Sequence, residues 1–129
     1  MITGERILEI SGFRSPEGAM KSLSININVD DVRQINDTLE VHYVYTADYE
    51  DKFGQVKIKG VMIAKEDENT TKEILETWKK TKKLPNSFSP MLLTVVNYSG
   101  SANGTFLARV LNLSAPLIPP VIRMDEEKK

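Results

Sequence analysis

The chain has 129 residues and a formal net charge of −1, and 40% of its residues are apolar. This length fits one domain with one core, and the balanced charge gives no general attraction to nucleic acid or anionic lipid. Because there is no cysteine, disulfides, thiolate catalysis and thiolate zinc sites are excluded. The N-terminus lacks a secretory pattern. The apolar runs are far shorter than the ~20 residues of a membrane span, so we expect a cytoplasmic protein without membrane insertion.

The first half of the chain has the alternation of a β-sheet. Leu23, Ile25, Ile27 and Val29 alternate with polar residues, which is typical of a strand with one buried face. Four strands are predicted, at residues 6–13, 22–30, 39–47 and 53–65. Short links such as residues 31–38 and the acidic residues 48–52 require antiparallel neighbours, since a parallel crossover needs a dozen residues or more. The sheet is therefore expected to occupy residues 1–65.

The last predicted strand changes parity at a glycine. Val56 and Ile58 share one face, while Val61 and Ile63 share the other, and Gly60 lies between the two pairs. A glycine at such a switch is typical of a β-bulge, which inserts one extra residue into a strand. We therefore expect a bulge that keeps both pairs on the core.

The second half changes to helical spacing over residues 69–113. Residues 69–71, Asn-Thr-Thr, can cap a first helix that ends in lysines and is broken by Leu84-Pro85-Asn86. A longer helix is predicted over residues 89–113, with Pro90 in its first turn. The proline-containing residues 114–124 are expected to form an apolar extended segment, followed by a charged tail at residues 125–129.

Small residues fill the middle of the long helix. Gly100 and Gly104 each cost about 1 kcal/mol relative to alanine in a helix. That cost is easier to understand if another element packs close to the helix backbone. A kink or break at residues 99–104 is the alternative, and the sequence leaves it open.

Few residues could carry chemistry. The single histidine, His42, lies within a strand and has no neighbouring serine or carboxylate at a triad spacing, so we interpret it as a polar residue on the outer face of the sheet. The carboxylates of residues 48–51 and 66–68 lie in apparent turns, where water screens them. We therefore expect no enzymatic activity, no metal site and no cofactor.

Several ordered stretches resemble the SecB family of protein-export chaperones. Residues 39–47 (LEVHYVYTA) are similar to the third strand of that family, and residues 56–64 (VKIKGVMIA) to the fourth. Leu84-Pro85-Asn86 resembles the entry to the long helix of the family. Residues 103–106 (NGTF) and 111–116 (LNLSAP) resemble the stretch at the end of that helix. The likeness covers residues 39–120.

The resemblance implies an α+β fold in which a four-stranded antiparallel sheet is followed by a short and a long helix on one face. It also implies a homotetramer, built as a dimer of dimers, that holds unfolded polypeptides in an apolar groove without ATP. The candidate groove residues are Tyr43, Tyr45, Val61, Ile63, Trp78, Phe88, Leu117 and Ile118. The candidate oligomer interface comprises Ser99, Gly100, Ala102, Asn103, Gly104 and Leu107. An acidic turn at Asp48, Glu50 and Asp51 matches the region where the family docks its translocation motor.

The sequence also departs from the family. The link at residues 14–20 is much shorter than the family's crossover loop, the second C-terminal helix is reduced to residues 121–124, and the motor-contacting tail is not recognisable. Two other functions therefore stay open: a chaperone dedicated to one partner, such as an antitoxin, and a small enzyme or ligand carrier with an apolar pocket.

Overall fold

The computed structural model describes residues 1–18 and 22–117. It shows an α+β fold in which a four-stranded antiparallel sheet is followed by two helices. The strands are β1 (Ile2–Arg14), β2 (Leu23–Ile35), β3 (Thr38–Tyr49) and β4 (Gly54–Ala64), in the spatial order β1-β4-β3-β2. The helices are α1 (Glu68–Thr81) and α2 (Ser89–Val110). The predicted fold class is confirmed.

One face of the sheet carries the core. Alternate residues of β3 from Leu39 to Tyr49 are buried, and in β4 the residues of matching register, such as Val56, Ile58 and Met62, join them. α1 buries Ile74 and Trp78 and contacts β2, while α2 contacts all four strands. Both helices thus cover the same face, which the partly buried apolar residues of β2 complete.

The prediction of a bulge in β4 at Gly60 is wrong. β4 pairs with β3 in an unbroken register from Gly54 to Ala64, so Val61 and Ile63 lie on the face opposite the helices. A register irregularity lies instead in β1, between Ile7 and Glu9, beside Gly60. Gly60 is needed for space, because a Cβ there would come within 2.6 Å of the Tyr43 hydroxyl.

Two element boundaries also differ from the prediction. β2 continues to Ile35 across residues expected to form a connection, and only Asn36 and Asp37 separate it from β3. Asn36 has a φ of 56°, which asparagine tolerates in a tight hairpin turn. α1 begins earlier than expected, because the Asp67 carboxylate, rather than residues 69–71, accepts a hydrogen bond from the Thr70 amide at 2.7 Å.

The small residues do not interrupt α2. The helix is continuous from Ser89 to Val110, and Leu92, Val96, Gly100, Gly104 and Ala108 form its buried face at a spacing of four residues. It ends three residues before the predicted limit, where the Arg14 guanidinium donates hydrogen bonds to the carbonyls of Leu111 and Asn112, at 3.4 and 2.8 Å. The structure therefore has no break in the helix at residues 99–104.

Candidate functional site

The residues proposed for a client groove do not form one open groove. Tyr43, Tyr45, Trp78 and Phe88 are buried in the chain's own core, while Val61 and Ile63 lie on the opposite face of the sheet. Val61 is 1% exposed there, beside Arg6 and His42 in the register. The Leu117 side chain is exposed at the end of the described chain, and Ile118 lies outside the described residues.

The residues proposed for an oligomer interface mostly pack within the chain. The ring of Tyr45 lies 2.2–2.5 Å from where a Gly100 Cβ would be, so the helix backbone rests directly on this ring. Gly104 packs less tightly, because a Cβ there would lie 3.0 Å from Pro116 and 3.7 Å from Tyr45. The Ser99 hydroxyl donates a hydrogen bond to the Glu5 carboxylate, and the Asn103 side-chain amide donates one to the main-chain carbonyl of Ser99. Leu107 packs against the core. Only Ala102 lies on the exposed side of α2. The close approach expected at the glycines is therefore made by the chain's own sheet.

The remaining sequence predictions concern polar residues. Asp48, Glu50 and Asp51 are all exposed near the tip of the β3–β4 hairpin, and Asp48 accepts a hydrogen bond from Gln55 at 2.8 Å. His42 lies on the outer face, as expected, with its Nε2 atom 3.9 Å from a Glu40 oxygen. Within residues 1–18 and 22–117, no three acidic or histidine side chains converge as metal ligands would.

A row of tyrosines on β3 ties the sheet to the elements above it. Tyr43 donates a hydrogen bond to the Glu5 carboxylate of β1, and Ser99 of α2 donates to the same carboxylate at 2.7 and 2.8 Å. Tyr49 donates to the main-chain carbonyl of Ser114, after α2. Tyr45 lies between them, and its buried hydroxyl lies beside that of Ser101, without a hydrogen bond of normal geometry to any of the described residues. The row therefore links the middle of α2, through Glu5, and the segment that follows α2 to the sheet.

These tyrosines make the stability of the fold sensitive to alkali. Burial raises the pKa of Tyr43, Tyr45 and Tyr49 above the ordinary value of 10.0. Unfolding above about pH 10 therefore releases phenolic protons. The contribution of these three groups to the free energy of unfolding should be constant below that pH and should fall as the pH rises above it. Urea unfolding across this range, followed together with tyrosinate absorbance, measures the effect. Tyrosinate formation by all three groups near pH 10 in the folded protein would contradict it, and Tyr98→Phe serves as the control, because Tyr98 is exposed.

An exposed apolar surface runs along α2 and β1. Ser99 of α2 bonds to Glu5 of β1, and a Cβ on Gly12 would meet Leu111 at 2.9 Å, so the helix follows β1 between these two points. Asn103, Phe106 and Val110 follow Ser99 at helical spacing and share its side of the helix. Ile7 and Ile10 of β1 lie in register with Gly60 and Ile58, on the face that carries the helices.

We call this region the α2–β1 apolar surface and define it by its exposed residues on the two elements. Its members are Ile7, Ile10, Tyr98, Ala102, Phe106 and Val110. Tyr98, Phe106 and Val110 are 62%, 70% and 84% exposed, which is unusual for large apolar side chains clustered on one helix. Helical spacing alone does not show that Phe106 and Val110 face outward, because it leaves the rotation of the helix about its axis undetermined.

The free edge of β1 borders this surface. β1 has 13 residues and pairs only with β4 in the described sheet, so its other edge presents unpaired backbone groups. A long edge strand with apolar side chains is a ready template for another chain. The α2–β1 apolar surface and this edge together form the strongest candidate for a binding surface.

Comparison with known proteins assigns the chain to no family. No protein-family model matches the sequence, and no curated protein matches it. None of the described helices is long and apolar enough to cross a membrane.

Proposed function

We propose that this protein is a SecB-like holdase, a cytoplasmic chaperone that holds unfolded polypeptides without ATP and without a catalytic group. The α2–β1 apolar surface is the observation that carries the proposal. Burial of apolar surface is worth about 25 cal/mol per Å², so a surface of this kind can bind unfolded segments through their apolar side chains alone. The resemblance of residues 39–120 to SecB supports the same function.

The same surface supports self-assembly. Pairing of two β1 edges would satisfy their unpaired backbone groups, and the outward stripe of α2, with Tyr98, Ala102 and Phe106, can pack against a second pair of helices. We propose a tetramer built as a dimer of dimers, as the resemblance implies. The assembly surface lies on the exposed side of α2, in place of the glycine face.

An aggregation assay tests the holdase function. An unfolded model protein diluted from denaturant should aggregate at least several-fold more slowly with an equimolar amount of this protein, because its apolar segments become covered. Light scattering reports the rate, and an equal concentration of an inert globular protein is the control. An unchanged rate would rule out a general holdase. A single stoichiometric partner in a pull-down would then favour a chaperone dedicated to one protein.

A further inference from the structure

The chain that follows α2 begins to cross the sheet from its β1 side. Leu111, the first residue after the helix, lies against β1, because a Cβ on Gly12 would meet its side chain at 2.9 Å. Two residues later the chain has reached the next strand of the sheet, since a Cβ on Gly54 of β4 would meet Leu113 at 3.1 Å.

The crossing continues over the third strand. The carbonyl of Ser114 accepts a hydrogen bond from Tyr49 of β3. Pro116 then lies 3.0 Å from where a Gly104 Cβ would be, and the ring of Tyr45 of β3 lies 3.7 Å from the same point. The segment thus passes β1, β4 and β3 in their spatial order, and β2 is the next strand.

On β2, the face that carries the helices is incompletely covered. Its apolar residues are partly exposed, although α1 and α2 both contact the strand. We call them the β2 apolar row: Leu23, Ile25, Ile27 and Val29. Their register partners on β3, which run from Tyr49 to Tyr43, are at most 2% exposed. The cover over the core therefore ends between β3 and β2, at the place that the segment after α2 has reached.

The chain continues from there with residues suited to covering such a row. The described part ends at Leu117, and residues 118–124 read Ile-Pro-Pro-Val-Ile-Arg-Met, with a single charged residue. Burial of the four large apolar side chains is favourable. The two prolines bring no backbone N–H that would have to leave water, and they lower the conformational entropy that ordering the segment would cost.

The distance to β2 is short. Tyr45, beside Pro116, is the register partner of Ile27 in the β2 apolar row. Neighbouring strands lie about 4.7–4.9 Å apart, and an extended chain advances about 3.3–3.6 Å per residue. Two residues after Pro116 are therefore enough to bring the chain over β2, and residues 118–124 follow directly.

We propose that the β2 apolar row is a docking site for residues 118–124 of the same chain. The segment would complete the cover that the residues after α2 begin, with its apolar side chains on Ile25, Ile27 and their neighbours. This intramolecular contact is separate from the α2–β1 apolar surface and does not depend on the proposed holdase function.

Thiol accessibility in the full chain tests the docking. Because the protein has no cysteine, Ile27→Cys introduces a single thiol, whose reaction with a maleimide reports how well the row is covered. We expect this thiol to react about tenfold faster when Val121→Ser and Ile122→Ser are added, the ratio for a segment that is docked about nine-tenths of the time. Ile25→Cys is a second reporter in the same row if Ile27→Cys does not fold by circular dichroism.

Two matched controls accompany the measurement. Asn28→Cys lies one residue along the strand and is exposed on the opposite face, so its reaction rate should be the same with and without the two serines. Glu126→Ser with Lys128→Ser introduces two serines into the charged tail without changing the net charge, and it should leave the Ile27→Cys thiol protected.

Three results would overturn the inference. Equal reaction rates of the Ile27→Cys thiol with and without the substitutions at residues 121 and 122 would show that the segment does not cover the row. Protection that disappears on dilution would assign the row to a second copy of the chain. Protection that appears only after an unfolded model protein is added would assign it to clients.

Discussion

Gly100→Ala is expected to lower the free energy of unfolding by about 1–3 kcal/mol, the usual cost of overpacking a core. A methyl group at this position would lie 2.2–2.5 Å from three atoms of the Tyr45 ring, far inside van der Waals contact. The ring is buried and cannot move aside. The loss should appear although alanine is intrinsically about 1 kcal/mol better than glycine in a helix.

Gly104→Ala is the matched control, four residues along the same buried face. Its methyl group would lie 3.0 Å from a ring carbon of Pro116 and 3.7 Å from Tyr45. Because this overlap is much smaller than the one at Gly100, Gly104→Ala should lose clearly less stability than Gly100→Ala. Urea unfolding of the three proteins measures the difference. Equal stability of Gly100→Ala and Gly104→Ala would contradict the packing of α2 on Tyr45.

Phe106→Glu is expected to break the proposed assembly without unfolding the subunit. The Phe106 side chain is 70% exposed in the single chain, so a carboxylate there remains in water in the monomer. In an assembled oligomer the same carboxylate would be buried without a partner. Loss of a central aromatic contact typically costs about 2 kcal/mol or more, which corresponds to about thirtyfold weaker association.

Light scattering coupled to size exclusion measures the mass of each variant. We expect the wild type to elute as an oligomer and Phe106→Glu as a smaller species with the same circular dichroism. Lys72→Glu, on the exposed side of α1, introduces the same carboxylate away from the surface and should leave the mass unchanged. A monomeric wild type, or an oligomer that tolerates Phe106→Glu, would rule out this surface as the interface.

The fold class follows from periodicity, and the sequence was sufficient to predict it. Leu23 to Val29 alternate with a period of two, and the spacing changes to a helical one after residue 69, so four strands and two helices could be read in order. The ends of the elements were less certain. β2 runs past Asp30 because its pairing with β3 compensates residues that favour turns on their own, and α1 begins at the carboxylate of Asp67.

The position of the candidate site depends on tertiary contacts that cannot be predicted from the sequence. Val61 and Phe106 are both apolar, and periodicity cannot tell that the first is buried on the outer face of the sheet while the second projects into solvent. The two glycines of α2 were consistent with a close neighbour or with a break in the helix, and spacing alone could not distinguish a second helix from the chain's own Tyr45.

The sequence by itself determined the order of the elements and the antiparallel arrangement of the strands, because these depend on local periodicity and on short connections. Only the tertiary structure decided the unbroken register at Gly60, the partner of the glycines and the outward direction of Phe106 and Val110. Those features depend on the rotation of α2 about its axis and on the pairing of β1 with β4, which are set by contacts between residues far apart in the chain.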